Sequence, residues 1–258
     1  MAQVLLTKRI EFSAAHRYHN VRWDAERNRA VFGACNNEPG HGHNYLLEVT
    51  VSGEVDRHTG MVVNLFDLKR VLQEVLEEFD HYHLNLDTPY FKDVIPTTEN
   101  LARVLWGRLE AQKDIGTLHA IRLYEDEDLF ADVTPLAGSD LTSVTRRYQF
   151  TAIYQGRCAP SEGPWSGHTW DLFVTVQGRV DRETGMVTDI VALDRLVQEN
   201  VIRPFGGQDL GKVLGLQKVT GEQIVRAIWD RLVKAVRGGT LARVRLVQTR
   251  DLTFECCG

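Results

Sequence analysis

Gly53-Glu54-Val55-Asp56-Arg57-His58-Thr59-Gly60-Met61-Val62-Val63-Asn64 recurs later in the chain as Gly178-Arg179-Val180-Asp181-Arg182-Glu183-Thr184-Gly185-Met186-Val187-Thr188-Asp189, with eight of twelve positions identical at an offset of 125. The match extends outward. Arg9-Ile10-Glu11-Phe12-Ser13-Ala14-Ala15 is similar to Arg147-Tyr148-Gln149-Phe150-Thr151-Ala152-Ile153, and His119-Ala120-Ile121-Arg122-Leu123 to Ala242-Arg243-Val244-Arg245-Leu246. A solenoid needs more and shorter repeats, so two long copies imply two similar domains. We place them at residues 1–134 and 146–258. The turn-forming residues Pro135, Gly138, Ser139 and Asp140 mark a linker over Thr134–Thr145.

Each copy has one pattern. Val4–Ala15 and Leu46–Val55 read as strands, with a turn over Asp56–Gly60. Arg17–Gly40 is polar and rich in turn residues and reads as a long loop, a kind of segment that often carries function. Phe66–Phe79 has Leu68, Val71, Leu72, Val75, Leu76 and Phe79 at helical spacing. A second helix starts near Thr98, an N-cap candidate followed by Glu99. His119–Tyr124 and Leu129–Val133 close the copy as a hairpin. The second copy repeats this with strands near Tyr148–Ala152 and Trp170–Val180, helices near Ile190–Ile202 and Gly221–Val236, and strands near Ala242–Gln248 and Leu252–Glu255. The order β-β-α-α-β-β predicts an α+β fold: an antiparallel sheet with both helices on one face.

Chemistry concentrates around Cys35-Asn36-Asn37-Glu38-Pro39-Gly40-His41-Gly42-His43-Asn44-Tyr45. Residues i and i+2 of a strand face the same way, so His41 and His43 present two imidazoles side by side. His16, at the end of the first strand, is the best third ligand if the two strands pair. Three histidines with an open fourth position are the pattern of a catalytic zinc, whereas structural zincs are closed by four protein ligands. Cys35 lies close enough in sequence to line such a site. The bland reading keeps these as surface or core histidines in a turn.

With 258 residues, 43% hydrophobic and 25% charged, the composition is that of a globular protein. No apolar run approaches the roughly 20 residues that span a bilayer, and Lys8, Arg9 and Glu11 interrupt any signal-peptide core. We expect no membrane partner. The four cysteines (Cys35, Cys158, Cys256, Cys257) do not make a disulfide framework, so we expect free thiols in a reducing cytoplasm. A net charge of −5 gives no reason to expect nucleic acid.

The two copies differ where chemistry is expected. His16 matches Tyr154, and His41-Gly42-His43 matches Ser166-Gly167-His168. Asp80-His81 matches Gly206-Gly207, and Glu125 matches Gln248. The loop carrying Cys35 is shorter in the second copy, and eight of the nine histidines lie in the first. One imidazole is too few for zinc. The first copy reads as a working domain and the second as one that has lost its site.

The first copy resembles the family of 6-pyruvoyl-tetrahydropterin synthase and its relative 6-carboxytetrahydropterin synthase. The motifs are Phe12-Ser13-Ala14-Ala15-His16, Cys35-x5-His41-Gly42-His43-Asn44-Tyr45, Thr59-Gly60-Met61-Val62-Val63-Asn64-Leu65, Leu84-Asn85-Leu86-Asp87, Pro89-Tyr90-Phe91, Thr97-Thr98-Glu99-Asn100 and Tyr124-Glu125. The resemblance implies a tunnelling fold, in which domains close into a barrel on oligomerisation. It implies 7,8-dihydroneopterin triphosphate as substrate and zinc on His16, His41 and His43. Cys35 would accept a carbon-bound proton, Asp80 would orient His81, and His81 would relay the proton to or from Cys35. Glu125 would grip the guanidine edge of the pterin, with Thr98 and Glu99 lining the same pocket. Asp80-His81 also fits a plain helix-end cap, and Glu125 begins an acidic run of a kind that is usually solvated.

Several activities fit the resemblance. Cys-x5-His-Gly-His is similar to the pyruvoyl-forming enzyme, whereas the carboxy-forming relative of queuosine synthesis usually has Cys-x3-His-Gly-His. Glu38 resembles a folate-route variant in which a glutamate replaces the cysteine and the side chain is cleaved. A reading of another class is a non-catalytic binding scaffold, which suits the second copy. Residues 1–140 carry 14 Lys+Arg and 23 Asp+Glu, and residues 141–258 carry 16 and 12. Such opposite balances favour docking of unlike domains. We expect a homo-oligomer of three two-domain chains, with three first domains in one ring stacked on three second domains.

Overall fold

The computed structural model describes residues 3–113, 115–134, 140–154 and 166–258. Cys158 and residues 135–139 of the expected linker lie outside the described residues. The chain divides into two compact units, Met1–Val144 with Gly178–Val187, and Thr145–Gln177 with Thr188–Gly258. The repeat assigns Gly178–Val187 to the second copy, yet it packs with the first unit.

In the first unit β1 (Val4–His16) leads through α1 (Ala25–Phe32) to β2 (His41–Gly53). Then come α2 (Leu65–Leu76), the short β3 (Tyr82–His83) and α3 (Leu84–Asp87), α4 (Thr98–Glu110), β4 (Thr117–Tyr124) and β5 (Leu129–Val133). The strands order as β3-β1-β2-β4-β5. β1 and β2 pair antiparallel along their whole length, from Val4 opposite Gly53 to His16 opposite His41. Alternate residues of β2 (Tyr45, Leu47, Val49, Val51) are fully buried, as period-two patterning requires of a half-covered sheet. They join Leu68, Val71, Leu72, Val75 and Leu76 of α2 and Leu101, Leu105 and Leu109 of α4 in one apolar cluster. Burying each such side chain contributes roughly 1.5–3 kcal/mol. The helices start where side-chain caps stand, Asn64 on the Phe66 N–H and, in place of the expected Thr98, Thr97 on the Asn100 N–H.

Three expectations are corrected. Arg17–Gly40 is not all loop, because Asp24 caps the amide of Arg27 and starts the eight-residue α1, followed by a 3₁₀ turn over Gly33–Asn36. This helix buries only Asn28 and Phe32, so it has no apolar stripe to betray it. The sheet is not wholly antiparallel, since β3 runs parallel to the end of β1. Finally, β2 begins at His41 rather than Leu46, which places both histidines inside the strand.

The second unit contains β6 (Thr142–Tyr154), β7 (Ser166–Gly178), α5 (Ile190–Val197), α6 (Arg203–Phe205), α7 (Leu210–Leu214), α8 (Gly221–Leu232), β8 (Thr240–Thr249) and β9 (Leu252–Cys257). Its strands order as β6-β7-β8-β9. A π-helical stretch, Gln198–Ile202, continues α5. The register shift between Thr50 and Val51 of β2 recurs between Thr175 and Val176 of β7, at the same place in the repeat. No helix among the described residues is long and apolar enough to cross a membrane.

Candidate metal centre

Strand register builds the site. His16 is paired with His41 across the β1–β2 ladder, and His43 is paired with Ala14, so all three rings share the face that carries Phe12, Ala14 and Tyr45. Ring centroids lie 4.8 Å apart for His16–His41, 4.9 Å for His16–His43 and 4.7 Å for His41–His43. The Nε2 atoms of His16 and His41 stand 3.3 Å apart. Two imidazole nitrogens sharing a tetrahedral ion at roughly 2.0–2.1 Å are about 3.3 Å apart. Nε2 of His43 is buried and has no hydrogen-bond partner. A buried, unpartnered nitrogen facing two others is costly by itself and is relieved by a cation. These three side chains therefore fit a metal ion.

Electrostatics agree. Burial, reinforced by His43, His41 and His83, lowers the pKa of His16 to about 2. Burial and His43 lower that of His41. Both rings are thus held neutral, the form that binds metal. The hydroxyl of Tyr45 lies 2.8 Å from Nδ1 of His16 and fixes the ring from behind.

Cys35 and Glu125 reach the same place. The Cys35 sulfur, a Glu125 oxygen and a His16 nitrogen lie within 4.8 Å of one another. The Tyr18 amide donates to the Cys35 carbonyl at 2.8 Å, tying the thiol's backbone to the chain just beyond His16. Glu125 is buried. Its Oε2 accepts from the Tyr18 hydroxyl at 2.7 Å and from the Thr98 hydroxyl at 2.5 Å, and its Oε1 lies 3.6 Å from Nε2 of His43. The acidic run begun by Glu125 is therefore not solvated at its first residue. Glu99 is also buried, and its Oε1 accepts from the Val187 amide at 3.0 Å.

Other expected residues lie elsewhere. Glu38 is 76% exposed and bound to Arg17 at 2.7 Å. The backbone of Arg17 is itself held by the Asn85 carboxamide through bonds of 2.8 and 2.9 Å. Asp80 and His81 pair at 3.0 Å, with His81 80% exposed. His81 has φ +63°, and its counterpart Gly207 has φ +69°. In the same way the His81 amide donates to Ser13 and the Gly207 amide to Thr151. A left-handed conformation is costly for histidine and free for glycine. The first copy thus holds a histidine in a backbone conformation that the second fills with glycine. Sequence reasoning missed Tyr18, Tyr45 and Arg17, for which periodicity gives no signal. Gly40 was passed over too. Its φ is +117°, and an added Cβ would stand 2.4 Å from the His16 carbonyl, so only glycine lets the loop enter β2 here.

In the second copy Tyr154 and His168 meet Gln248, with the Gln248 amide 3.1 Å from the Tyr154 hydroxyl and 3.3 Å from His168. Among the described residues of that copy no cluster of metal-binding side chains forms.

The model of the 6-pyruvoyl tetrahydropterin synthase family matches residues 5–135 and again 145–257. This chain belongs to that family. The family's match therefore runs through both copies, including the one without the histidine cluster. Human 6-pyruvoyl tetrahydrobiopterin synthase is 45% identical over 127 residues, covering 49% of this chain and 88% of that protein. A putative 6-carboxy-5,6,7,8-tetrahydropterin synthase of Archaeoglobus fulgidus is 38% identical over 109 residues, 40% of this chain and 88% of that protein. The structure of Caenorhabditis elegans 6-pyruvoyl tetrahydropterin synthase aligns with TM-score 0.50 and 35% identity over 52% of this chain and 96% of its own.

Burial raises the pKa of Glu99 from the ordinary 4.5 to about 7. A carboxyl held protonated more tightly in the folded state favours folding below its unfolded pKa, and that contribution is lost as pH rises. Thermal unfolding should therefore show stability falling between pH 4.5 and about 7. Glu99→Gln should flatten this slope and be the more stable form at pH 8, by a few kcal/mol at most.

Proposed function

We propose that this chain is a metal-dependent lyase that converts 7,8-dihydroneopterin triphosphate to 6-pyruvoyl-tetrahydropterin with loss of triphosphate. The observation that carries this reading is that Cys35 and Glu125 stand beside His16 of a three-histidine cluster, in a chain 45% identical over 127 residues to the human enzyme. His16, His41 and His43 would hold zinc, which supplies Lewis acidity toward the hydroxyls of the pterin side chain. Cys35 accepts the carbon-bound proton as thiolate, a base whose pKa responds strongly to nearby charge. Glu125 accepts two parallel N–H bonds from the guanidine edge of the pterin, in a geometry suited to a carboxylate. Tyr18 and Thr98 aim that carboxylate, and Glu99 closes the pocket behind them. Asp80 orients His81 as a proton relay. His81 is exposed within its own unit, and the family resemblance leads us to propose that it serves the cysteine of a partner subunit. We infer a homo-oligomer of three chains, acting on a small-molecule pterin with neither nucleic acid nor membrane as partner, in the cytoplasm.

A second reading, the carboxy-forming reaction of queuosine synthesis, is favoured by the archaeal relative. Cys-x5-His-Gly-His argues for the pyruvoyl product. Glu38 is the residue that would lead to side-chain cleavage, and its ion pair with Arg17 keeps it from acting as the base. We assign the second copy a structural part, without chemistry of its own.

Mass spectrometry of products from dihydroneopterin triphosphate should find 6-pyruvoyl-tetrahydropterin. Cys35→Ala should lower the rate by about 10²–10⁴, the usual worth of a positioned base, with Glu38→Ala near wild type. A cleaved side chain that depends on Glu38 would refute the assignment. Light scattering should return the mass of three chains, and a stable active monomer would defeat the proposed relay from a partner.

A further inference from the structure

The two copies contain the same turn in different surroundings. In each, an aspartate at the turn's head (Asp56 or Asp181) accepts from the amides two and three residues on and from the threonine hydroxyl. In each, its own amide donates to the methionine carbonyl at 2.9 Å. Both turns place glycine at positive φ, +69° at Gly60 and +74° at Gly185. There the likeness ends. A Cβ on Gly60 would meet nothing within 4 Å, and Met61 is 43% exposed. A Cβ on Gly185 would stand 2.7 Å from Asn100 Nδ2 and 3.0 Å from Thr97 Cγ2, and Met186 is buried.

The docked turn grips the residues on either side of Thr98. The Thr97 hydroxyl donates to the Gly185 carbonyl at 2.5 Å, and the Val187 amide donates to Glu99 at 3.0 Å. It also holds the stretch carrying Tyr18, since Asn20 donates to the Glu183 carbonyl at 2.9 Å. Thr98 and Tyr18 are the two hydroxyl donors to Glu125, and the Thr98 amide donates to the Tyr18 hydroxyl at 3.1 Å. We propose that the turn Gly178–Val187 of the second copy is a positioning element of the first copy's site, holding Thr98 and Tyr18 so that both hydroxyls aim Glu125. This gives the degenerate copy a task that needs no metal. The link to ligand rests on the reading of Glu125 as the pterin-binding carboxylate, whereas the link to Thr98 does not.

The test compares Gly185→Ala with Gly60→Ala in the full chain. Both add a Cβ at nearly the same strained φ, but only the first meets the α4 terminus. Hydrogen exchange at the Thr98 amide, without ligand, should quicken in Gly185→Ala and stay unchanged in Gly60→Ala. Neopterin affinity, read by fluorescence, should weaken about tenfold in Gly185→Ala, as loss of one well-aimed hydrogen bond would do, with KM rising more than kcat falls and metal content unchanged. The Gly60→Ala protein should bind as wild type does. If Gly185→Ala does not fold, Met186→Ala, which loosens the buried turn, replaces it, with Met61→Ala at the exposed counterpart as the control that should change neither readout. Unchanged exchange at Thr98, or equal effects of the two glycine variants, would overturn the proposal. Quickened exchange in a protein whose wild type ignores neopterin would uphold the positioning and refute the proposed substrate.

Discussion

The pairing register of β1 with β2 is the constraint on which the site depends. With His16 opposite His41, the ladder puts three imidazoles on one face at one end of a fully paired pair of strands. A slip of one residue would turn either strand's histidines to the other face. The register is secured far from the metal centre by Leu47, Val49 and Val51, which must face the helices to be buried. The histidines continue the same alternation beyond Tyr45. The core thus sets the site's geometry, and the site occupies the end of the core where apolar residues give way to ligands.

Burial does the electrostatic work. It keeps His16 and His41 neutral, leaves His43 with an unpartnered nitrogen, and places Glu125 where it accepts hydrogen bonds from Tyr18 and Thr98. A buried carboxyl group is held chiefly by the hydrogen bonds it accepts, so those two hydroxyls set its direction. Arg17 acts in the opposite sense on Glu38, holding a second carboxylate outside the cluster. The contrast separates Glu38, near the histidines in sequence but exposed, from Glu125, far in sequence but buried beside His16.

The tandem repeat, the α+β order and the three histidines were legible because each rests on a periodic or spaced pattern. The 125-residue offset, alternation in β2 and the i, i+3, i+4 spacing of α2 are examples. Helix α1 was not legible, since a helix that buries only Asn28 and Phe32 leaves no stripe. Nor were Tyr18 and Arg17, which matter through contacts between residues distant in sequence. The turn at Gly185 was visible as a repeat of that at Gly60, but which of the two is docked depends on packing that neither copy's sequence states. Asp80-His81 reads as a helix end, and the left-handed backbone shared by His81 and Gly207 is visible only in the structure.

The account stands on one metal ion held by the first copy and none held by the second. Elemental analysis of the purified full chain measures this most directly. It should find one divalent ion per chain, lost on replacing His43 with alanine and kept on replacing His168. Two ions per chain, or a single ion that persists without His43 and departs with His168, would contradict it.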